Sequence, residues 1–132
     1  MLFDAGRGAF QRLNEAGVTG ARIDAVLLTH LHSDHLVGFP EVWVSGWLFS
    51  TRTRSWNVFG PAGTANFAQH LTQAFTVDLR SRVEENTPVL PAAGAELKAT
   101  DVQQGVVYER DGVRVTAFTV DHRVVPAFGY RV

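Results

Sequence analysis

Residues 29–38 read THLHSDHLVG and place three histidines and one aspartate within the six residues from His30 to His35. The whole chain has only five histidines, so most of them lie in this stretch. The cluster His30–His35 directly follows IDAVLLT (23–29), an apolar run that is typical of a buried strand. Loops that follow such strands in open α/β sheets commonly bind ligands, so residues 30–35 are the first candidate for a functional site.

The residue types of this stretch indicate a metal site. Histidine and carboxylate side chains are the ligands that hold zinc without cysteine, and the chain has no cysteine. His30 and His32 are two residues apart, so an extended backbone directs both rings to the same side. Asp34 and His35 then turn into the next helix and can face a second point nearby, which suits a pair of metal ions. The alternative is a polar loop with chance histidines, which so dense a cluster at a strand end disfavours.

Composition limits the function classes. With 132 residues, 45% of them hydrophobic, the chain is long enough for one globular unit with a real core. A formal net charge of -1 gives no global basic field, so nucleic-acid binding would need a local patch. No apolar run has the length of a membrane span, and no signal peptide follows Met1. The compartment stays open: the chain as given favours the cytoplasm, and an exported form needs a missing N-terminal segment.

The elements alternate along the first half and become strands in the second half. The pattern predicts a strand at 2–4, a helix at 8–16, a strand at 23–29, a helix from about Ser33 that Pro40 kinks or interrupts, a strand at 57–60, and a helix from Pro61 to about Glu85. Further strands are predicted at 95–102, 106–109, 113–120 and 128–132, with Asp111-Gly112 as a hairpin turn. Together they predict a layered α/β fold, a sheet with helices on an outer face.

Both ends of the chain are apolar and strand-like. It opens with MLFDAG and stops at FGYRV, whereas folded domains usually fray at polar termini. We therefore expect residues 1–132 to be part of a longer chain.

Five segments resemble one family. HLHSDH (30–35) resembles the HxHxDH signature of the metallo-β-lactamase superfamily, αββα hydrolases with a dinuclear zinc site. LFDAG (2–6) is similar to the first motif of that superfamily. VDHRVVPAFGYRV (120–132) is similar to its third motif, in the form found in ribonuclease Z and the arylsulfatase-like metallohydrolases. GFPEVWVSGWLF (38–49) and NVFGPAGT (57–64) resemble the same branch. The resemblance implies an αββα sandwich of which residues 1–132 are about the first half.

The resemblance also implies a set of metal ligands. It assigns His30, His32 and His122 to one zinc, Asp34 and His35 to a second zinc, and Asp4 to hydrogen bonds that hold the ligand loop. His122 follows the apolar run 113–120, another strand end, so we expect it to converge with His30 and His32. Its neighbour Asp121 is expected to be structural. The bridging aspartate and the last histidine of the family are not found in this chain.

The implied chemistry is hydrolysis by metal-activated water, with Asp34 orienting or deprotonating the nucleophile. Three readings stay open: a zinc hydrolase of phosphodiesters or sulfate esters, a tRNA 3′-processing endoribonuclease, and a non-catalytic metal-binding fragment. The expected partners are a small ester or RNA, with no membrane and with a possible homodimer. His32 argues against diiron chemistry, whose members resemble HxExDH, and the third motif argues against glyoxalase- and lactonase-like members.

Other polar and aromatic residues receive structural interpretations. His70 lies in an amphipathic helix and is expected at the surface or core edge. Trp43, Trp47 and Phe49 recur near helical spacing, which favours a core role over a substrate platform.

Two loops could meet an anion. Arg52 and Arg54 form a small basic loop, for which a solvated role is favoured. The GPAG turn at 60–63 precedes a helix whose N-terminus could bind an anion, although a lone Gly-Pro turn is weak evidence.

Overall fold

A computed structural model describes residues 1–85, 90–123 and 125–132 of the chain. Residue 124, part of the third predicted motif, lies outside the described residues. The elements are β1 (Leu2–Phe3), α1 (Ala9–Glu15), β2 (Ala25–Leu27), α2 (Ser33–Leu36), α3 (Phe39–Ser50), β3 (Trp56–Gly60), α4 (Thr64–Ala74), α5 (Thr76–Glu85), β4 (Leu97–Asp101), β5 (Gly105–Arg110), β6 (Val113–Val120) and β7 (Ala127–Arg131). Two short 3-10 turns, Gly20–Arg22 and Ala92–Ala95, complete them.

The strands form two sheets. β1 to β4 make a parallel sheet in the order β1-β2-β3-β4, in which Leu27 of β2 lies opposite Phe3 and Phe59. β5, β6 and β7 make an antiparallel sheet in chain order. Helices connect the parallel strands, as parallel pairing requires, and the turn Asp111-Gly112 connects β5 to β6. The predicted layered α/β fold is confirmed.

Strand β2 is buried on both faces and fixes the order of the layers. Val26 and Leu28 belong to a core cluster with Trp43 of α3. Ala25 and Leu27 point the other way and pack with Val115 of β6. Because side chains alternate along a strand, one short apolar run joins the helices on one face to the second sheet on the other. Helix layer, sheet and sheet therefore follow one another, in the order expected of an αββα sandwich.

The hairpin between β5 and β6 forms where the sequence predicts it. Asp111 and Gly112 both have positive φ, 51° and 79°. Two successive residues in this region define the type I′ turn, whose twist matches that of the flanking strands. The Asp-Gly prediction is confirmed.

Two predicted helices are each divided in two. The helix expected from Ser33 breaks at Val37 and Gly38, and Pro40 lies in the first turn of α3, where its missing N–H costs nothing. Pro40 therefore begins a helix instead of kinking one. The helix expected to reach Glu85 breaks at Phe75, which contacts the Trp43 ring at a centroid distance of 5.6 Å.

The prediction that Arg52 lies in a solvated loop is wrong, because its side chain is buried. It is only 1% exposed, and its guanidinium donates to the carbonyl oxygens of Gly20, Ile23, Arg54 and Ser55. The guanidinium carbon also lies 4.0 Å from the centre of the Trp56 ring. Burial lowers the pKa of Arg52 to about 10, so the side chain stays charged at neutral pH. Arg52 cross-links two loops that would otherwise bury unpaired carbonyls.

The aromatic prediction holds for two of its three residues. Trp43 and Trp47 are fully buried, whereas Phe49 is 80% exposed. Trp43 and Trp47 are four residues apart and share one face of α3, and Phe49, two residues further on, lies on the opposite face. The Trp43 and Trp47 indoles donate to the carbonyls of Ala95 and Pro91, which holds the turn before β4 against α3.

Candidate metal centre

The candidate site is built where β2 and β6 end. Residues 29–32 continue from β2 into α2, and His122 follows β6 after a single residue. Two bonds tie β7 to this edge of the parallel sheet. The Phe128 backbone N–H donates to the Thr29 carbonyl at 2.9 Å, and the Tyr130 hydroxyl donates to the Leu28 carbonyl at 2.8 Å. These bonds set the segment that carries His122 beside the loop that carries His30.

Three of the predicted ligands come together. One ring nitrogen from each of His30, His32 and His122 lies within 4.8 Å of the corresponding atoms of the other two. The ring of His30 is 4.8 Å from that of His32 and 4.4 Å from that of His122, between centroids. His30 is 6% exposed, while the other two are open to solvent. The cluster therefore has one buried and two accessible rings.

The spacing of these nitrogens fits a single metal ion. His122 Nε2 and His32 Nδ1 are 3.2 Å apart. Two nitrogens bound to one tetrahedral zinc at about 2.0–2.1 Å are separated by about 3.3 Å. Three neutral imidazoles in this arrangement are a donor set that zinc accepts.

Asp34 and His35 lie together at the edge of this cluster. His35 Nε2 is 3.7 Å from Asp34 Oδ2, and the His35 ring is 4.1 Å from the His30 ring, between centroids. The Asp34 side chain is 79% exposed, so it can reach a second ion or a water molecule. Among the described residues this pair supplies two neighbouring donors, one fewer than the cluster of three histidines.

Asp4 connects the first strand to the ligand loop. Its Oδ1 accepts from the Thr29 backbone N–H at 2.7 Å, and its Oδ2 accepts from the Thr29 hydroxyl at 2.8 Å. The same Oδ2 contacts His35 Nδ1 at 2.9 Å. Because a carboxylate only accepts, His35 carries its proton on Nδ1 and presents Nε2 to the site.

Thr29 is a site residue that the sequence reasoning missed. Its hydroxyl lies 2.9 Å from His30 Nδ1. Since that hydroxyl already donates to Asp4, it accepts from His30, which leaves His30 Nε2 free as a ligand. Asp4 thus orients His35 directly and His30 through Thr29. The only signal in the sequence is the position of Thr29 between a buried strand and the histidines.

The electrostatic environment keeps His30 neutral. Burial lowers the pKa of His30, and the neighbouring rings of His35, His122 and His32 lower it further. A metal binds the neutral imidazole, so the shift favours a ligand at neutral pH.

The loop at 60–63 is filled by the chain itself. The Asp101 carboxylate accepts from the backbone N–H groups of Gly63 and Ala65 at the start of α4. These bonds lower the pKa of Asp101, Ala65 contributing most. An anion from outside is therefore not needed at this N-terminus.

His70 lies apart from the cluster. It is exposed on α4, and its Nδ1 contacts Gln73 Oε1 at 3.1 Å. This matches the surface position that the sequence predicts.

A cavity opens beside the histidines. It has a volume of about 550 Å³ and is lined by His32, Asp121, His122, Arg123 and Val125. Asp121 accepts from the Arg123 backbone N–H at 3.0 Å, the structural role expected of it. In the three described stretches of the chain, no helix is long and apolar enough to cross a membrane.

The chain is similar in sequence to curated ribonucleases Z. The ribonuclease Z of Mycobacterium marinum is 37% identical over 134 residues, which cover 99% of this chain and 47% of that protein. The ribonuclease Z of Mycolicibacterium gilvum is 35% identical, with 99% and 46% covered. The chain thus spans about half the length of the curated relatives that it matches.

Solved structures share the fold at low sequence identity. A diphosphatase of the PhnP family superposes with a TM-score of 0.67 at 19% identity, covering 98% of this chain and 43% of that one. The short form of human tRNase Z gives a TM-score of 0.65 at 21% identity, covering 97% and 51%. The sequence family described as the beta-lactamase superfamily domain matches residues 1–132. The chain therefore belongs to the beta-lactamase superfamily, a family of hydrolases.

Proposed function

We propose that this chain carries the metal-binding half of a zinc-dependent phosphodiesterase that cleaves RNA in the manner of ribonuclease Z. The observation that carries the proposal is the cluster of His30, His32 and His122, with ligand atoms within 4.8 Å of one another. The proposal treats residues 1–132 as one partial metallo-β-lactamase-like domain.

The ligands divide between two ions. His30, His32 and His122 would hold the first zinc, and Asp34 and His35 would contribute to the second. The adjacency of the His30 and His35 rings, 4.1 Å between centroids, supports two ions close together. In such a centre, zinc makes water nucleophilic near neutral pH and offsets charge on the phosphoryl oxygens.

The chain's own side chains orient the ligands and move the proton. The Asp4 carboxylate keeps the His35 Nδ1 proton in place, and the Thr29 hydroxyl does the same for His30. The Asp34 carboxylate faces solvent beside His35, so one of its oxygens can accept the proton that leaves the attacking water.

RNA is the preferred substrate class because of the relatives. The curated relatives at 37% and 35% identity are ribonucleases Z, and they match 99% of this chain. A ribonuclease cleaves phosphodiester bonds in RNA, so we propose phosphodiester hydrolysis ahead of sulfate-ester hydrolysis. The exposed rings of His32 and His122 leave the site open to a large substrate.

A second candidate function is metal binding without turnover. Among the described residues, one group of three donors could hold a metal ion: His30, His32 and His122. Asp34 and His35 form only a pair. Two ligands hold an ion poorly against water. Without the second ion the transition state loses several kcal/mol of stabilisation, which is several powers of ten in rate.

Metal analysis combined with turnover tests how much of the metal centre residues 1–132 supply. We expect the purified chain to bind about one zinc and to hydrolyse bis(4-nitrophenyl) phosphate negligibly, as ligand counting requires. Two tightly bound zinc ions with rapid turnover would show that the chain completes its site by other means, such as a partner subunit. Failure to bind any zinc would contradict both candidates.

A further inference from the structure

Arg123 carries a positive charge beside the metal centre, and the proposed chemistry assigns it no role. It immediately follows His122 and lines the cavity of about 550 Å³ together with His32. It also lines an adjoining cavity of about 350 Å³ on the side of β7, bounded by Thr119, Pro126 and Phe128. Arg123 therefore lies beside the histidine cluster and borders both cavities.

The charge composition of the larger cavity singles out this side chain. Its lining contains one cation, Arg123, and one carboxylate, Asp121. Oδ1 of Asp121 accepts from the Arg123 backbone N–H at 3.0 Å. The guanidinium itself has no ion pair with any other described residue. Its donors are thus available to a ligand.

The backbone of Arg123 is held in an unusual conformation. Its backbone φ is 61°, in the left-handed region that residues other than glycine rarely adopt. The Asp121 bond spans the turn and helps to keep the residue there. Non-glycine residues in such conformations cluster at active sites and ligand clamps, so the outlier supports a functional role for the side chain.

We propose that Arg123 binds the non-bridging oxygens of a singly charged oxyanion ester, a phosphodiester in the first instance, while the ester lies over the histidine cluster. The inference rests on the proposed function and names the residue that recognises substrate charge. The forked donors of a guanidinium match two oxygens of a phosphate or sulfate group.

Binding of small esters tests this site without relying on turnover. The probes are dimethyl phosphate, its neutral analogue trimethyl phosphate, and methyl sulfate, each titrated by NMR into the zinc-loaded chain. Arg123→Gly is the main variant, because glycine adopts a φ of 61° freely and keeps the turn. Arg114→Met is the matched control, since it removes the same charge near the opposite end of β6.

We expect Arg123→Gly to weaken dimethyl phosphate binding roughly three- to tenfold, as for an exposed charge-assisted contact. Trimethyl phosphate binding and the thermal unfolding midpoint should not change, and Arg114→Met should bind both esters like the parent chain. An equal loss with methyl sulfate would support an oxyanion site that does not separate the two ester classes.

Unchanged dimethyl phosphate binding in Arg123→Gly would overturn the inference, and so would an equal loss with the neutral ester. Zinc binding is measured separately, by calorimetry on the same samples. A chain that takes no zinc overturns the proposed function, and titration of the metal-free chain then decides the Arg123 site on its own.

Discussion

At the scale of single residues, the network from Asp4 to the histidines controls how the candidate centre is presented. Two oxygens of one carboxylate accept three hydrogen bonds, and the Thr29 hydroxyl extends the network to His30. The dense histidine motif predicts a metal site from residue types alone, whereas the role of Asp4 comes only from the superfamily resemblance. It does not predict Thr29, whose role depends on the side-chain direction that only the folded loop defines.

Asp4→Asn tests that network. An asparagine keeps one acceptor oxygen and presents an N–H₂ group in place of the other, so it cannot accept from the Thr29 backbone, the Thr29 hydroxyl and His35 together. We expect zinc affinity, measured by competition with a chelator, to fall roughly 10- to 100-fold. Asp78→Asn, which changes a carboxylate on α5 paired with Arg82, is the control and should leave the affinity unchanged. Equal affinities in both variants would remove Asp4 from the account.

At the scale of helices, strands and loops, the sequence predicts the elements better than their ends. The buried run 23–29 contains β2, but only Ala25–Leu27 pair as a strand, because the next residues leave the ladder to form the site. The break at Phe75 carries no glycine or proline that would mark it. Periodicity alone predicts one continuous helix for α4 and α5. The break between them coincides with the packing of Phe75 against Trp43.

The loop around Arg52 shows why a local pattern misleads. Two arginines among small polar residues are typical of a solvated loop. The local sequence does not show that the Trp56 ring and the carbonyl oxygens of residues 20 and 23 contact Arg52. Those partners are set by the chain path, which brings segments about thirty residues apart together.

Arg52→Lys measures what this cross-link contributes. Lysine keeps the charge but cannot donate to four carbonyls at once or stack on Trp56. We expect the free energy of unfolding, from urea titration, to fall by about 2–4 kcal/mol. Arg80→Lys, in an exposed pair with Glu84, should change it by less than about 0.5 kcal/mol. A loss of similar size in both variants would mean that the Arg52 contacts add nothing specific.

At the scale of the whole molecule, the order of layers follows from one property of the sequence. β2 is apolar without alternation, so it must be covered on both faces, and helices and a second sheet supply the two covers. That reasoning predicts the α/β class from residues alone, and the superfamily resemblance adds the αββα arrangement. The possible homodimer stays a prediction, because it concerns surfaces that the sequence pattern does not mark.

The central claim is that His30, His32 and His122 bind one zinc ion together. Zinc K-edge X-ray absorption of the chain loaded with one equivalent of zinc counts these ligands directly. The account predicts three imidazole nitrogens at about 2.0–2.1 Å, falling to two in His122→Ala and staying at three in His70→Ala. A first shell with fewer than three imidazoles in the parent chain, or one that His122→Ala leaves unchanged, would contradict it.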